Sequence, residues 1–234
     1  MLSTIQKFRS VLEQLLPPEI KATANRIAVK PDSFDYPEEG KHLKNAVQVR
    51  RNEFITGRRC ARSALAQLGA TSQALPPDED RIPKWPPGFV ASISHCRGIC
   101  CAVAASKDQV RGLGVDLEQT KRMSSGVMKR IVHPLEANFA GADQILCSLL
   151  FSAKEAFFKA QFPIWGAWPN FEDLALQPDA SKKQLTVIDI ATHLPESLRS
   201  TAPKMRFRYA FIEDYVVTLC WLDTERETLR SSEW

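Results

Sequence analysis

Two carboxylates stand two residues apart at the end of an apolar segment, 112–118 (GLGVDLE). In an extended strand such residues project from the same face, about 7 Å apart, so Asp116 and Glu118 are expected to point the same way. A pair of carboxylates suits a hard cation such as Mg²⁺, which proteins hold with one or two carboxylates together with water and substrate phosphates. The alternative is a strand end whose polar face is solvated.

A third carboxylate lies in segment 151–160 (FSAKEAFFKA), whose spacing predicts a helix. Glu155 and Lys159 are one helical turn apart on a face that is otherwise aromatic. Charges among aromatic side chains are costly unless they are paired or used, whereas a surface Glu–Lys pair adds only about 0.2–0.5 kcal/mol. Glu155 could therefore complete a metal site with Asp116 and Glu118, while Lys159 meets the charge of a phosphate. The alternative is an ion pair on a helix surface.

Further basic and polar residues indicate a phosphate site. Segment 91–98 (ASISHCRG) places Ser94 and His95 in a predicted turn, where side chains can reach a ligand. Arg58 and Arg81 add guanidinium groups that match phosphate oxygens. A histidine in a turn is also common without any ligand. The sequence has no P-loop, no dinucleotide-binding glycine fingerprint and no nucleophile elbow, which excludes those three classes of site.

Hydrophobic periodicity predicts the elements that position these residues. Helices are predicted near the start of the chain, over 52–68 with Asn52 as its cap, and over 144–162 with Pro163 at its end. The predicted strands span 26–30, 89–93, 98–105, 110–117, 185–190, 205–212 and 215–222. Helices and about three strands in each half predict an α+β fold.

The composition is that of an ordinary globular protein, with 234 residues, 44% hydrophobic, and a net charge of +4. We find no signal peptide and no run of about 20 apolar residues, so we expect a soluble cytoplasmic protein. The charge alone is too small to indicate nucleic-acid binding. The six cysteines are expected to be reduced and buried. The alternative, a zinc site, would use four neighbouring residues: His95, Cys96, Cys100 and Cys101.

Five motifs, in order along the chain, resemble those of the 4′-phosphopantetheinyl transferases. The likeness is greatest to the bacterial siderophore-synthesis type, which is enterobactin synthase component D-like. The family motif G-[IV]-D-x-E is matched at 114–118, and [FW]-x-x-K-E-[AS]-x-x-K is matched at 151–159. Motifs of the subtype are matched at 57–65 (GRRCARSAL), 81–86 (RIPKWP) and 92–96 (SISHC).

This resemblance implies a fold and an activity. The fold would be a two-lobed α+β monomer with pseudo-twofold symmetry, its helices packed on small, mostly antiparallel sheets and its active site in the cleft between the lobes. The first lobe, 1–118, would carry the coenzyme A phosphate-binding motifs. The second, 119–234, would carry the catalytic Lys-Glu-x-x-x-Lys helix and the carrier docking surface. The reaction would move phosphopantetheine from coenzyme A, the co-substrate, to a serine of an apo acyl, aryl or peptidyl carrier protein.

The resemblance also implies the roles of individual residues. Asp116, Glu118 and Glu155 would hold Mg²⁺ or Mn²⁺. Either Glu155 or a metal-bound water would deprotonate the carrier serine, and Lys159 would stabilise or protonate the leaving phosphate. The coenzyme A phosphates would be bound by Arg50, Arg58, Arg81, Ser94, His95 and Lys154.

Other interpretations of the same residues stay open. The apolar stretch 162–168 is a candidate carrier-docking patch, unless Trp165 and Trp168 belong to the core. A different metal-dependent phosphohydrolase, such as a phosphatase or nuclease, could use the same acids. A non-catalytic nucleotide- or RNA-binding module would instead rely on four arginines: Arg58, Arg59, Arg62 and Arg81.

Overall fold

The computed structural model of the chain describes residues 3–30, 32–121 and 123–225, so 226–234, at the end of the predicted second lobe, lie outside the described residues. Its α-helices are α1 (Thr4–Leu15), α2 (Gln48–Ala66), α3 (Ser125–Ile131), α4 (Ala137–Ala140), α5 (Gln144–Trp165) and α6 (Glu196–Thr201). Its strands are β1 (Lys21–Arg26), β2 (Phe89–Cys96), β3 (Ile99–Ser106), β4 (Val110–Gln119), β5 (Leu174–Asp179), β6 (Gln184–Ile190), β7 (Arg206–Ile212) and β8 (Tyr215–Asp223). Within these ranges no helix is both long enough and apolar enough to cross a membrane.

The first sheet is antiparallel with the strand order β1-β3-β2. The turn between β2 and β3 is Arg97 and Gly98, both with positive φ. Helix α2 packs on this sheet through small buried side chains, including Cys60, Ala61 and Ala64. Small residues let the helix axis approach the strands closely, and Arg50 Nη1 of α2 lies 2.9 Å from His95 Nε2 of β2.

The second sheet is also antiparallel, with the strand order β4-β8-β7-β6-β5. Helix α5 lies across β4 and β8. The α+β class is therefore confirmed, but this sheet has five strands where about three were expected. Sequence analysis missed β5, because Pro178 and Asp179 are uncommon in strands. Strand β4 is hydrogen-bonded into the second sheet rather than the first. The lobe boundary at 118 and the pseudo-twofold symmetry stay predictions.

Two glycines of β4 let α5 lie directly on the strand. A Cβ at Gly114 would lie 1.9 Å from the carbonyl oxygen of Ala156, and one at Gly112 would lie 2.8 Å from that of Ala160. Both are distances that a real side chain cannot occupy. The glycines, which precede Asp116 in the sequence, therefore set the separation between the β4 carboxylates and the α5 side chains.

Several predicted boundaries are wrong for physical reasons. The first strand is β1 at 21–26 rather than 26–30, and Val29, which made the later segment look like a strand, is 95% exposed. Asn52 lies inside α2 and does not cap it. Its side-chain amide donates instead to the backbone oxygens of Ala28 and Lys30, at 2.7 and 2.9 Å.

Two further predictions near the site need correction. Ser94 and His95 lie within β2, because the turn falls later, at Arg97 and Gly98. Helix α5 continues through Pro163 to Trp165 and ends at Gly166, which is left-handed with φ of 59°. A proline removes one helical hydrogen bond, yet the packing of α5 on the sheet carries the helix past it.

Candidate functional site

A cavity of about 260 Å³ lies between α2, β2, α5 and the loop that precedes β2. Five basic side chains line it: Arg50, Arg58, Arg81, His95 and Lys159. We call it the basic cavity. Its remaining wall is largely apolar and includes Trp85, Phe158 and Phe162. These walls suit a ligand that carries phosphates on an organic skeleton, since arginine forks bind phosphate oxygens and aromatic side chains contact the rest.

Arg58 is the most buried cation of the basic cavity, with 6% of its surface exposed. Its Nε donates to the Leu75 carbonyl oxygen at 2.6 Å, and its guanidinium lies 4.1 Å from the Phe54 ring centroid. Burial lowers the pKa of Arg58 to about 10, against the opposing charge of Glu39. Arg58 is still a cation at neutral pH, and its partial desolvation strengthens its attraction for an anion.

His95 lies beside Arg50 at the mouth of the cavity. Arg50 donates from Nη1 to His95 Nε2 at 2.9 Å, and His95 Nδ1 lies 3.7 Å from Glu53 Oε1. Burial lowers the pKa of His95, and the cations Arg50 and Lys159 lower it further while Glu53 opposes them. The imidazole is therefore neutral near pH 7.

Lys159 joins the basic cavity to the carboxylates of β4. Its Nζ donates to Asp116 Oδ1 at 2.7 Å, to Ser94 Oγ at 3.3 Å and to the Val115 oxygen at 3.1 Å. Burial lowers the pKa of Lys159, but the Asp116 carboxylate outweighs burial and the net shift is upward. Lys159 is thus held as a cation where it meets the cavity.

Ser94 has a different environment from the one predicted. Its hydroxyl donates to Asp116 Oδ1 at 2.9 Å and accepts from the Leu117 N–H at 3.1 Å. Ser92, two residues earlier, accepts from the Val115 N–H at 3.1 Å. Ser94 does not line the basic cavity. Instead, the two serines join β2 to β4 and fix the position of Asp116.

The three predicted metal ligands influence one another through their charges. Burial raises the pKa of Glu155, and the charges of Asp116 and Glu118 add to that effect while Lys159 opposes it. Asp116 Oδ2 is buried and has no hydrogen-bond partner within the described part of the chain. A buried carboxylate oxygen without a partner is a donor that a hard cation can use, so the chemistry of these three side chains suits Mg²⁺.

In their present positions the carboxylates do not form a closed cage. Across residues 3–30, 32–121 and 123–225, no group of three His, Cys, Asp or Glu side chains is arranged to hold a metal ion. Glu118 Oε1 accepts from its neighbour's backbone, Gln119 N–H, at 2.7 Å and from the Cys96 thiol at 3.6 Å. Asp116 is engaged by Lys159. Binding of one cation by all three carboxylates would therefore require their side chains to rearrange.

Lys154 does not lie at the basic cavity. Its Nζ donates to the Ile131 oxygen at 2.7 Å, to Glu136 Oε2 at 2.7 Å and to the Phe171 oxygen at 2.8 Å. An ammonium has three protons, and these bonds use all of them. The predicted role of Lys154 in binding phosphate therefore finds no support, because no proton is left for a phosphate.

The predicted docking stretch, 162–168, contains both exposed and buried residues. Trp168 is 72% exposed, yet its ring centroid lies 4.8 Å from that of Phe162 and 5.3 Å from that of Phe158. Trp165 is partly buried, and the guanidinium of Arg111 lies over its ring. Phe158 also separates the basic cavity from a second cavity of about 230 Å³ that Glu155 lines.

Sequence reasoning missed residues that act through others. Glu53, which lies beside Arg50 and His95, carries no recognisable signal. The alternation of Ser92 and Ser94 could have indicated a polar face on β2, since residues two apart share a face. The expected thiols are present: all six cysteines are free and buried.

The geometry defines a class of protein: an α+β fold with a cavity lined by basic side chains, one of which, Lys159, contacts the buried Asp116 carboxylate. Residues 38–105 match the model of the 4′-phosphopantetheinyl transferase N-terminal domain. Residues 112–220 match the model of the 4′-phosphopantetheinyl transferase superfamily. The chain belongs to the 4′-phosphopantetheinyl transferase superfamily, which confirms the resemblance seen in the motifs.

Several proteins are similar to this chain in sequence and are named as 4′-phosphopantetheinyl transferases or as enterobactin synthase component D. The chain is 38% identical over 158 residues to 4′-phosphopantetheinyl transferase Svp of Streptomyces mobaraensis, covering 64% of each chain. It is 34% identical over 166 residues to 4′-phosphopantetheinyl transferase Npt of Nocardia iowensis, covering 70% of this chain and 74% of that one. It is 31% identical over 159 residues to enterobactin synthase component D of Salmonella typhi, covering 65% and 61%.

The similarity is partial in extent. The chain spans slightly less than two thirds of the length of the Streptomyces and Salmonella relatives. Among solved structures, the Chronobacterium ammoniagenes ACPS-CoA complex is 23% identical with a TM-score of 0.35, and the match covers 49% of this chain and 98% of that chain.

Proposed function

We propose that this protein transfers the 4′-phosphopantetheine group of coenzyme A to a serine hydroxyl of an apo carrier protein. The observation that supports this most strongly is the basic cavity itself, where five predicted phosphate ligands or catalytic residues meet within one space. Lys159 belongs both to that cavity and to the Asp116 carboxylate. Such a juxtaposition suits phosphoryl transfer, whose catalysis is mostly positioning and charge neutralisation.

Binding of coenzyme A would fall to the basic cavity. Arg58 is fixed by its bond to Leu75, so its guanidinium is preorganised for a phosphate. Arg50 and His95 lie together, and Arg81, in the loop that precedes β2, lines the same cavity. The aromatic wall would contact the organic part of the ligand.

The three carboxylates would bind the metal ion, and one of them could also accept the proton of the carrier serine. Asp116, Glu118 and Glu155 would bind Mg²⁺, which when bound would neutralise charge on the pyrophosphate oxygens. Either Glu155, whose pKa is raised by burial, or a metal-bound water would accept the serine proton. Lys159 would stabilise the departing phosphate from the position in which Asp116 and Ser94 hold it.

The carrier protein would approach beside Trp168. This exposed ring lies next to the second cavity, which Glu155 lines, so a serine presented there would be near that carboxylate. We propose an acyl, aryl or peptidyl carrier as partner, a siderophore, polyketide or peptide pathway as context, and a cytoplasmic monomer as the working form.

Intact-mass spectrometry tests this function. A purified apo carrier incubated with the protein, coenzyme A and Mg²⁺ should gain one phosphopantetheine group, and the Glu155→Gln variant should lose that activity. A carrier that gains no mass, while coenzyme A is hydrolysed in its absence, would identify a phosphohydrolase instead.

A further inference from the structure

Glu39 is a buried carboxylate to which sequence analysis assigned no role. It lies in the 3₁₀ turn Pro37–Leu43, and only 1% of its surface is exposed. Its Oε1 accepts from Arg62 Nη1 at 2.6 Å and from the Leu75 N–H at 2.7 Å. A buried carboxylate is costly unless it is paired and hydrogen-bonded, and both conditions hold here.

The two backbone polar groups of Leu75 are both held by charged side chains. Glu39 holds the N–H of Leu75, and Arg58 holds the Leu75 carbonyl oxygen at 2.6 Å. The Leu75 side chain is fully buried. Residue 75 is therefore an anchor point that one carboxylate and one cavity-lining guanidinium define together.

The loop that follows, 76–88, carries one wall of the basic cavity. Arg81 and Trp85 of this loop line the cavity. The loop is braced internally, since Asp78 N–H donates to the Ile82 oxygen at 2.8 Å and Lys84 N–H donates to the Pro76 oxygen at 2.9 Å. Because it is braced in this way, its position is set at its point of attachment.

We propose that Glu39 is a positioning residue for coenzyme A binding, acting through Leu75 to hold the 76–88 loop and the Arg58 guanidinium in place. The proposal rests on the proposed function. Glu39 does not line the basic cavity, so its loss should weaken binding of coenzyme A and spare turnover once coenzyme A is saturating.

The neighbouring Asp35 provides a matched control. It also pairs with Arg62, at 2.7 Å from Nη2, and with Arg59 at 2.8 Å, but its side chain is 36% exposed and it has no bond to Leu75. Asp35→Asn thus disturbs the same arginine without releasing the anchor. Glu39→Gln keeps an oxygen that can accept from the Leu75 N–H but loses the charge facing Arg62.

The test combines calorimetric titration of the full chain with coenzyme A and steady-state kinetics with an apo carrier. We expect Glu39→Leu to raise the Kd and KM for coenzyme A about ten-fold with kcat within about two-fold of wild type, because the loop must then be ordered on binding. Glu39→Gln should raise them about two-fold, since only the charged part of the contact is lost. Asp35→Asn should match wild type.

The outcomes separate this proposal from the function on which it rests. A folded Glu39→Leu variant with wild-type affinity, or one in which kcat falls as much as affinity, overturns the role of Glu39 alone. If Glu39→Leu does not fold, Glu39→Gln decides, and wild-type affinity in that variant overturns the role. A wild-type chain that binds no coenzyme A refutes the proposed function as well.

Discussion

Lys154 and Lys159 lie on the same helix in the same motif, yet their surroundings give them different tasks. The buried Lys154 ammonium donates to two backbone carbonyl oxygens and to Glu136. Lys159 instead donates to Asp116 and lines the basic cavity. A spacing of five residues turns the two side chains to different sides of α5. The motif alone names both lysines, and only the three-dimensional contacts separate the structural one from the one at the site.

The first prediction at this scale concerns Lys154. Lys154→Met should lower the free energy of unfolding by about 3–5 kcal/mol, because it leaves the buried charge of Glu136 without its cation. Affinity of the folded protein for coenzyme A should not change. Chemical denaturation and calorimetry measure the two effects, and Lys182→Met, which removes an exposed lysine, is the control. Weakened binding with unchanged stability would restore Lys154 as a phosphate ligand.

A second prediction concerns His95, whose pKa lies below its ordinary value of 6.5 because of burial and the cations Arg50 and Lys159. A bound phosphate favours the charged imidazole and raises that pKa, so binding of coenzyme A between the two values takes up protons. Titrations near pH 6.5 in buffers of different ionisation enthalpy should therefore give different apparent heats. The difference should shrink in His95→Gln. Identical heats in every buffer for the wild type would exclude this role.

At the scale of elements, the site depends on how α5 meets β4. Gly112 and Gly114 allow the contact, and the hydroxyls of Ser92 and Ser94 join β4 to β2. The glycines leave room for α5 because they have no side chain, and the serines bond to β4 because their hydroxyls lie close to the backbone. Together they bring three elements close enough for Asp116, Glu155 and Lys159 to interact.

Gly114→Ala tests this arrangement. The new methyl group would lie 1.9 Å from the Ala156 oxygen, so α5 must move, and we expect a loss of about 2–4 kcal/mol in stability together with loss of transferase activity. The matched control is Gly126→Ala in α3, where nothing lies within 4 Å of the added carbon. It should be neutral or stabilising by up to about 1 kcal/mol. Thermal unfolding and carrier modification are the readouts, and equal behaviour of the two variants would contradict the argument.

The sequence predicted the elements with strong periodicity and missed those without it. Helices α2 and α5 and strands β2–β4 and β6–β8 have alternating or helical apolar patterns long enough to recognise. By contrast, β1 consists of small and polar residues because two helices pack close to it, and β5 contains a proline. The helix end after Pro163 was misplaced because tertiary packing outweighed the local effect of proline.

The candidate site was predicted to a similar extent. Residue types and motifs identified Arg58, Arg81, His95 and Lys159, and the family resemblance added Arg50, all of which line the basic cavity. They could not identify Glu39 or Glu53, since a carboxylate that positions an arginine has no local pattern. Nor could they show that the Ser94 hydroxyl bonds to β4 and does not face a ligand. That outcome depends on the turn starting at Arg97, two or three residues later than predicted.

At the scale of the whole molecule, two antiparallel sheets each carry a long helix, and the basic cavity lies where α2, β2 and α5 meet. In the proposed function a carrier protein would have to reach this place from outside. The exposed ring of Trp168 lines the second cavity and packs on Phe158, a residue of the wall of the basic cavity. Exposed aromatic side chains of this kind are frequent energetic centres of protein interfaces.

Trp168→Ala should therefore raise the KM for the carrier protein about ten-fold, which corresponds to about 1.4 kcal/mol. Affinity for coenzyme A should stay within about two-fold, since the ring does not line the basic cavity. Ile188→Ala, which truncates an exposed apolar residue on β6, is the control and should match wild type. Kinetics with varied carrier concentration measure the effect, and an unchanged KM for the carrier would remove Trp168 from the docking surface.

The central claim is that one cavity binds the coenzyme A phosphates next to the acids that serve the transfer. A crystal structure of the chain with coenzyme A and Mg²⁺ tests it most directly. We predict phosphate oxygens in contact with Arg58, His95 and Lys159, and a cation touching Asp116, Glu118 and Glu155. Coenzyme A bound outside the basic cavity, or a cation held by other residues, would contradict it.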